Sequence, residues 1–325
     1  MHTKIMFAQQ LMYISHHDSE NYEAMIIFEL NNCALNNKTY KKMKKTIFNL
    51  FIMTAFIISL SSCTANSPGK EIGVQLWSVK DAMQEDPAGT LQALADKGYT
   101  FVEAAGYSDG KFYGMEPHAF RELVESTGMV FLGSHTGQAV PGDDNRDEVM
   151  AWWDKCIQTH KAAGVRYIVQ PWMSSRAFDS IEGLQAYCDY FNEVGEKCNQ
   201  HGIRFGFHNH AEEFNAFDDV VIYDYMLQNT DPEKVMFQID LYWAYVGNVD
   251  PVDYFERYPG RFESWHVKDV DVIGGSGKID FKRIFKHAEL SGLKDIVVEF
   301  EHPEKDPFKS LDLSIRYLNG ADYVK

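Results

Sequence analysis

Eight short runs of apolar, β-branched or aromatic residues recur between residues 72 and 301, and each is followed by a segment with helical spacing. The predicted strands are Ile72–Ser78, Phe101–Gly106, Val130–His135, Tyr167–Trp172, Arg204–His210, Met236–Trp243, Phe262–Lys268 and Ile296–Glu301. Five of the helical segments end at a glycine, a residue that accepts the left-handed backbone that terminates a helix. These glycines are Gly98, Gly128, Gly164, Gly202 and Gly292.

Strands that alternate with helices of ten or more residues are expected to be parallel, and eight such units are expected to close into a barrel. The alternative is an open, doubly wound sheet, which favours a glycine-rich turn after its first strand. Here that turn reads QLWSVKDAM and contains no glycine. The sequence therefore predicts an α/β protein with a single (β/α)8 barrel, a TIM barrel, over residues 71–325.

A second feature lies upstream of the barrel. From Met43 the chain reads MKKTIFNLFIMTAFIISLSSC, with a basic start, an apolar run over 47–60 and small residues before Cys63. This pattern is typical of a secretory signal, and the LSSC ending resembles a bacterial lipoprotein signal with lipidation at Cys63. We therefore expect Met43 to be the true start, 1–62 to be an extension and signal, and 63–70 to be a tether. A single transmembrane anchor is the alternative, although the run is short for one.

Charge and cysteine content narrow the classes of partner. The formal net charge is −16, which disfavours general binding to the phosphate backbone of nucleic acids. The cysteines show no C-x-x-C spacing, and every cysteine after Cys63 falls in a predicted helix, so thiolate ligation of a metal is not expected. The predicted location is the periplasmic side of the bacterial envelope, with membrane contact only through the lipid. A homo-oligomer remains open.

Metal-capable side chains occur at the carboxyl ends of the predicted strands, where the βα loops of a barrel meet. These residues are His135, His208, His210, Asp240, His266, Glu299 and Glu301. Ionisable groups in apolar strands are costly to bury unless they are paired or bind a metal. One buried histidine is commonly a hydrogen-bonded core residue. Five strands that each end in a His, Asp or Glu instead favour a single metal site to which these strands contribute. Imidazole and carboxylate donors without thiolate suit one divalent ion, Mn²⁺, Zn²⁺, Co²⁺ or Fe²⁺.

Seven runs, in chain order, resemble the xylose isomerase-like barrel family, the sugar phosphate isomerase/epimerase superfamily. They are VQLWSVKDAM, GSHTG, FHNHAEEF, QIDLYW, WHVKD, GKIDF and VVEFE. The resemblance covers about residues 71–320 and implies a TIM barrel that acts on a small sugar-like substrate. It argues against the family's DNA-repair branch, because Gln170 and Trp243 stand where that branch has further metal-binding residues.

The resemblance also implies a ligand set. The family's epimerases hold one metal with a Glu, an Asp, a His and a Glu on strands 5 to 8. The last three match Asp240, His266 and Glu299. Strand 5 departs from the pattern, since it carries a histidine in place of the glutamate. The fourth ligand therefore stays open among His208, His210 and Glu213, with His208 favoured by strand position.

The activity that the resemblance implies is proton abstraction next to a carbonyl group. Glu299 is the expected base, and His210 or Glu213 is expected to act on the opposite side. Contacts with the substrate are predicted for His135, Lys268, Trp243, Glu301 and Trp77.

Three functions stay open at this stage. The first is an isomerase or epimerase that acts on an unphosphorylated sugar, keto-sugar or cyclitol. The second is a lyase or hydrolase that eliminates a group from a 3-keto-glycoside or an inosose. The third is a barrel that binds carbohydrate without catalysis.

Overall fold

A computed structural model describes residues 70–217, 219–302 and 304–325. Within them, eight parallel strands form a closed barrel in which each strand pairs with its neighbours in the chain, and the first pairs with the last. The predicted α/β class and TIM-barrel fold are confirmed. The predicted signal, the start at Met43, Cys63 and most of the tether lie outside the described residues. Within the described ranges, no helix has both the length and the apolar character needed to cross a membrane.

The barrel strands are short. They are β1 (Ile72–Gln75), β2 (Phe101–Ala104), β3 (Val130–His135), β4 (Tyr167–Gln170), β5 (Arg204–His208), β6 (Val235–Asp240), β7 (Ser264–Val267) and β8 (Asp295–Val298). Two small antiparallel hairpins project from βα loops, one pairing Tyr107–Ser108 with Lys111–Phe112 and the other pairing Ala216–Phe217 with Val220–Val221.

The helices between the strands range from one turn to more than five. They are α1 (Lys80–Glu85), α2 (Pro87–Asp96), α3 (Pro117–Ser126), α4 (Arg146–Ala163), α5 (Arg176–Asp179), α6 (Ile181–Gln200), α7 (Ile222–Asn229), α8 (Leu241–Val246), α9 (Pro251–Arg257), α10 (Phe281–Phe285), α11 (Ala288–Ser291) and α12 (Pro307–Gly320). The 3₁₀ turns are Leu76–Val79 and Glu212–Phe214. All five glycines predicted to follow helices have positive φ, as a left-handed helix end requires.

The lower part of the barrel is filled by apolar side chains from alternate strand positions. This cluster consists of Phe101, Leu132, Tyr167, Val169, Met236 and Val297. Two glycines make room for its aromatic rings: a Cβ on Gly133 would lie 2.0 Å from the Tyr167 ring, and one on Gly73 would lie 2.0 Å from the Phe101 ring. Side chains two residues further along each strand point into the barrel above this layer, so they face the loop-bearing mouth.

Most of the strands were predicted to continue past the residue at which they end in the structure, so these predicted carboxyl-terminal bounds are wrong. Trp77 lies in the first 3₁₀ turn, His210 follows β5, and both Glu299 and Glu301 follow β8. Trp243 lies in α8, because the Asp240 side chain accepts a hydrogen bond from the Trp243 amide and begins that helix. Aromatic and apolar residues continue past the last paired residue, so the sequence pattern alone does not mark where the chain leaves the sheet.

Candidate metal centre and active site

Four side chains converge at the mouth of the barrel. His208, Asp240, His266 and Glu299 each offer a donor atom, and these atoms all lie within 4.8 Å of one another. The four residues come from the ends of four consecutive strands, β5 to β8. Asp240 and His266 are direct partners in the β6–β7 register. The neighbouring strand ends therefore bring together groups that are far apart in sequence.

The donor set suits a divalent cation. Two imidazoles and two carboxylates are donors that Mn²⁺, Zn²⁺, Co²⁺ or Fe²⁺ accepts, and all four residues are buried. Nδ1 of His208 and Oδ2 of Asp240 are buried atoms with no hydrogen-bond partner among the described residues. Buried polar atoms are normally satisfied, so two such atoms in one cluster fit a ligand that supplies the missing interaction. Of the three candidates for the fourth ligand, His208 belongs to this cluster.

The electrostatics of the cluster are set by burial and by its own charges. Burial raises the pKa of Asp240 and lowers the pKa of His208 well below its ordinary value. Burial would also lower the pKa of His266, but Glu103 and Glu299 beside the ring raise it to about 10. For Glu299, burial opposes ionisation, whereas Lys268 and His266 lower the pKa below its ordinary value. The centre thus gathers several charged groups that are buried at the mouth of the barrel.

Lys268 is a second cation of this centre, beside His266. Its Nζ lies 3.3 Å from Oε2 of Glu299 and also pairs with Oε2 of Glu301. The ammonium is 5.1 Å from the ring centroid of Trp243, a distance at which a cation is attracted to the ring face. Burial would lower the pKa of Lys268, but Glu299, Asp240 and Glu301 raise it above its ordinary value. Lys268 therefore stays charged and holds both carboxylates of the β8 end.

A cavity of about 450 Å³ opens above the cluster. It is lined by Trp77, Ala105, Tyr107, His135, Thr136, Gly137, Pro171, Trp172, His208, His210, Glu299 and Glu301. Trp77 and Trp172 stand at its rim with 43% and 41% of their surfaces exposed. The indole Nε1 of Trp77 donates a hydrogen bond to Oε1 of Glu301 at 2.6 Å, which fixes one wall of the opening.

Five predicted site residues are not among the residues that line this cavity: the proposed ligands Asp240 and His266, and also Glu213, Trp243 and Lys268. Lys268 is buried beneath Glu299 and Glu301, and Trp243 packs against the ring of His210 with centroids 5.3 Å apart. The carboxylate of Glu213 accepts a hydrogen bond from the His210 backbone amide at 2.8 Å, so it braces the turn that carries His210. Burial raises the pKa of Glu213 to about 7.

Sequence reasoning missed Glu103 on β2. It is fully buried, and its Oε1 lies 2.7 Å from Nε2 of His266 and 3.0 Å from Nε2 of His135. Burial would raise the pKa of Glu103, but the facing imidazoles lower it well below its ordinary value. A signal was present, because Glu103 is a glutamate within the apolar run FVEA, the same cue that identified the residues at the other strand ends.

The histidine–carboxylate cluster lies among the βα loops of a closed eight-stranded β/α barrel, which is where enzymes of this barrel class have their active sites. The model of the xylose isomerase-like TIM barrel family matches residues 91–320. The chain belongs to this family, whose relatives include epimerases, isomerases and dehydratases.

Individual relatives are more distant. The inosose dehydratase of Salmonella typhimurium is 26% identical over 170 residues, which cover 52% of this chain and 48% of that protein. The chain thus aligns with about half the length of this curated relative. A sugar phosphate isomerase/epimerase from Parabacteroides distasonis has 31% identity and a TM-score of 0.74, over 81% of this chain and 98% of that chain. The 3-keto-D-glucoside 4-epimerase of E. coli shares the fold, with 15% identity and a TM-score of 0.61 over 78% and 100% of the two chains.

Proposed function

We propose that this protein is a divalent-metal-dependent isomerase or epimerase that removes a proton next to a carbonyl group of an unphosphorylated sugar, keto-sugar or cyclitol. One observation carries the proposal: two imidazoles and two carboxylates lie within 4.8 Å of one another at the base of a substrate-sized cavity. The names of the relatives, sugar phosphate isomerase/epimerase and inosose dehydratase, support chemistry on polyhydroxylated carbonyl compounds.

The roles of the residues follow from their positions. A divalent cation held by His208, Asp240, His266 and Glu299 would serve as a Lewis acid that polarises a carbonyl oxygen. Glu299 faces the cavity and is the base that takes the proton from the neighbouring carbon. His210 also lines the cavity and is placed to return or deliver a proton. Glu213 holds the backbone of His210, and therefore acts as a positioning residue.

The charge of the cavity wall favours an uncharged substrate. Glu299 and Glu301 line the wall, and neither lysine nor arginine is found among the described residues that line it. Lys268 lies behind the wall and is already paired with both glutamates. A phosphate group would be repelled by these carboxylates. His135, Glu301 and Trp77 offer hydrogen bonds and an aromatic face to hydroxylated carbons.

A second candidate function is elimination from a 3-keto-glycoside or an inosose. It begins with the same proton removal next to the ketone, after which the bond from the β-carbon to its oxygen breaks and the oxygen leaves with a proton. The inosose dehydratase relatives favour this candidate, as does the presence of a histidine, His208, at the end of β5, where the family's epimerases carry a glutamate.

One experiment separates the candidates. The purified protein is stripped with a chelator, reloaded with Mn²⁺, Co²⁺, Zn²⁺ or Fe²⁺, and incubated in D₂O with a panel of keto-sugars, inososes and 3-keto-glycosides. We expect deuterium to enter the substrate only when the metal is present, and NMR monitors this incorporation. An epimer as product supports the first function, and loss of water or of an alcohol supports the second. If the protein neither binds a metal nor catalyses exchange, both candidates are refuted, and a barrel that binds carbohydrate without catalysis is the function that is left.

We also propose that the protein is exported and anchored by a lipid at Cys63. The proposal is supported by the basic start at Met43, the apolar run and the LSSC ending. Labelling of the expressing bacterium with a fatty acid, compared between the wild type and Cys63→Ala, tests it. Label retained by the variant would contradict lipidation at this residue.

A further inference from the structure

One buried carboxylate lies directly beneath the proposed metal ligands. Glu103, on β2, is fully buried in the barrel and belongs to none of the groups of side chains that could hold a metal. An isolated carboxylate is costly to bury, so its hydrogen bonds should explain its presence. All of its partners are side chains that point inward from other barrel strands.

The carboxylate is fully engaged. Its Oε1 accepts from Nε2 of Gln75 at 2.6 Å and lies 2.7 Å from Nε2 of His266 and 3.0 Å from Nε2 of His135. Its Oε2 accepts from Nε2 of Gln238 at 2.7 Å. Glu103 therefore joins β1, β3, β6 and β7 through one charged group.

The contact with His266 has a chemical consequence. A carboxylate only accepts hydrogen bonds, so Nε2 of His266 must carry the proton in this contact. The other nitrogen, Nδ1, lies 3.2 Å from Oε2 of Glu299, so without a metal it also holds a proton toward a carboxylate. This contact is longer than the 2.7 Å contact with Glu103, and Glu299 is itself a proposed ligand, so a bound cation would replace the proton on Nδ1 and leave the one on Nε2. An imidazole can ligate a metal only through a nitrogen that carries no proton.

We propose that Glu103 is a positioning residue that holds the proton on Nε2 of His266 and thereby presents Nδ1 to the metal. This inference rests on the proposed metal site and deepens it, because it assigns the ligating atom and the group that selects it. Hydrogen bonds from metal-bound histidines to a carboxylate fix the ring and strengthen the ligand. His135 stacks on His266 with ring centroids 5.0 Å apart and an interplanar angle of 8°, which restricts ring rotation further.

The test compares Glu103→Gln with a matched control. Glu263→Gln makes the same change in a carboxylate at the opposite end of the barrel, which pairs with Arg204 at 2.9 Å and Lys294 at 2.8 Å. Zn²⁺ affinity is measured by competition with a chromophoric chelator. We expect about 10- to 100-fold weaker binding for Glu103→Gln, and unchanged binding for the control. Wild-type affinity in folded Glu103→Gln would overturn the proposal.

A second measurement uses the wild-type protein and avoids a variant that fails to fold. In the Zn²⁺-loaded protein, the ¹⁵N NMR signals of the His266 ring are assigned by through-bond correlation with the Cβ of the same residue. We expect a protonated Nε2 and a metal-shifted Nδ1, and the reverse pattern would overturn the inference. A wild type that binds no Zn²⁺ or other divalent ion would instead refute the proposed function itself.

Discussion

Nζ of Lys268 lies 3.3 Å from Oε2 of Glu299 in the buried mouth of the barrel. A buried pair is strongly destabilised when one member is removed, because the other charge stays behind without compensation. The same pair neutralises the carboxylate that is proposed as both ligand and base. Removing either charge of this pair should therefore alter the proposed site and also lower the free energy of unfolding.

Lys268→Met tests this coupling. It keeps an apolar side chain and removes the charge, so Glu299 loses one of its two cationic neighbours and keeps only His266. In metal-free protein we expect the free energy of unfolding to fall by about 3 kcal/mol. Lys294→Met is the control, since this lysine is 60% exposed in its pair with Glu263 and should cost less than about 1 kcal/mol. Urea titration in chelator measures both, and equal losses would contradict the special role of the buried pair.

Asp240→Asn tests the proposed ligand set. The amide oxygen of asparagine can still begin α8, because Asn is as good an N-cap as Asp, so the fold should survive. Loss of the ligand charge should remove bound metal and reduce exchange into substrate by on the order of a thousandfold, equivalent to several kcal/mol. Elemental analysis measures the bound metal, and deuterium incorporation into the substrate measures the exchange.

Asp295→Asn is the matched control for that change. Asp295 lies at the start of β8, away from the mouth, and pairs with Arg166 at 2.7 Å. We expect this variant to keep its metal and its activity. Metal retained at wild-type level in Asp240→Asn would instead remove Asp240 from the ligand set.

Gly133→Ala tests the packing of the barrel interior. The added methyl group would lie 2.0 Å from the Tyr167 ring, so the ring or the strand must move. We expect a loss of about 2–3 kcal/mol in the free energy of unfolding. Gly320→Ala is the control, because its Cβ would meet no atom within 4 Å. A thermal shift of the same size in both variants would contradict the packing argument.

His160 predicts acid sensitivity of the fold. Its ring is buried beside Tyr107 and Phe112, with centroids 4.8 and 4.9 Å away, and Nδ1 lies 2.7 Å from the Cys156 carbonyl oxygen. Burial lowers the pKa of His160 from 6.5 to about 4. Between these values the unfolded chain binds a proton that the folded chain does not. Stability should therefore fall as the pH drops from 6.5 to 4, by about 3 kcal/mol in total.

His160→Leu should remove that part of the pH dependence, whereas His118→Gln, at an exposed position, should keep it. Urea midpoints at pH 7.5 and pH 5 measure the difference. Parallel losses of stability in wild type and His160→Leu would show that other groups account for the acid sensitivity.

The sequence alone determined the eight-fold alternation, the glycines that end five helices, and the cluster of ionisable residues at the strand ends. These are local properties, because strand alternation and helix termination depend on neighbouring residues. They were enough to predict that Asp240, His266 and Glu299 face the mouth of a barrel.

Only the tertiary structure decided which groups meet across the barrel. Glu103 and His266 are 163 positions apart in the chain, and their contact depends on the register of all eight strands, including a shift between Val102 and Glu103 where β2 pairs with β3. It likewise placed His208 with the other donors, while Glu213 turns back to the His210 amide. Strand alternation fixes the side of a sheet to which a residue points, but the stagger of a closed barrel fixes its height and its partners.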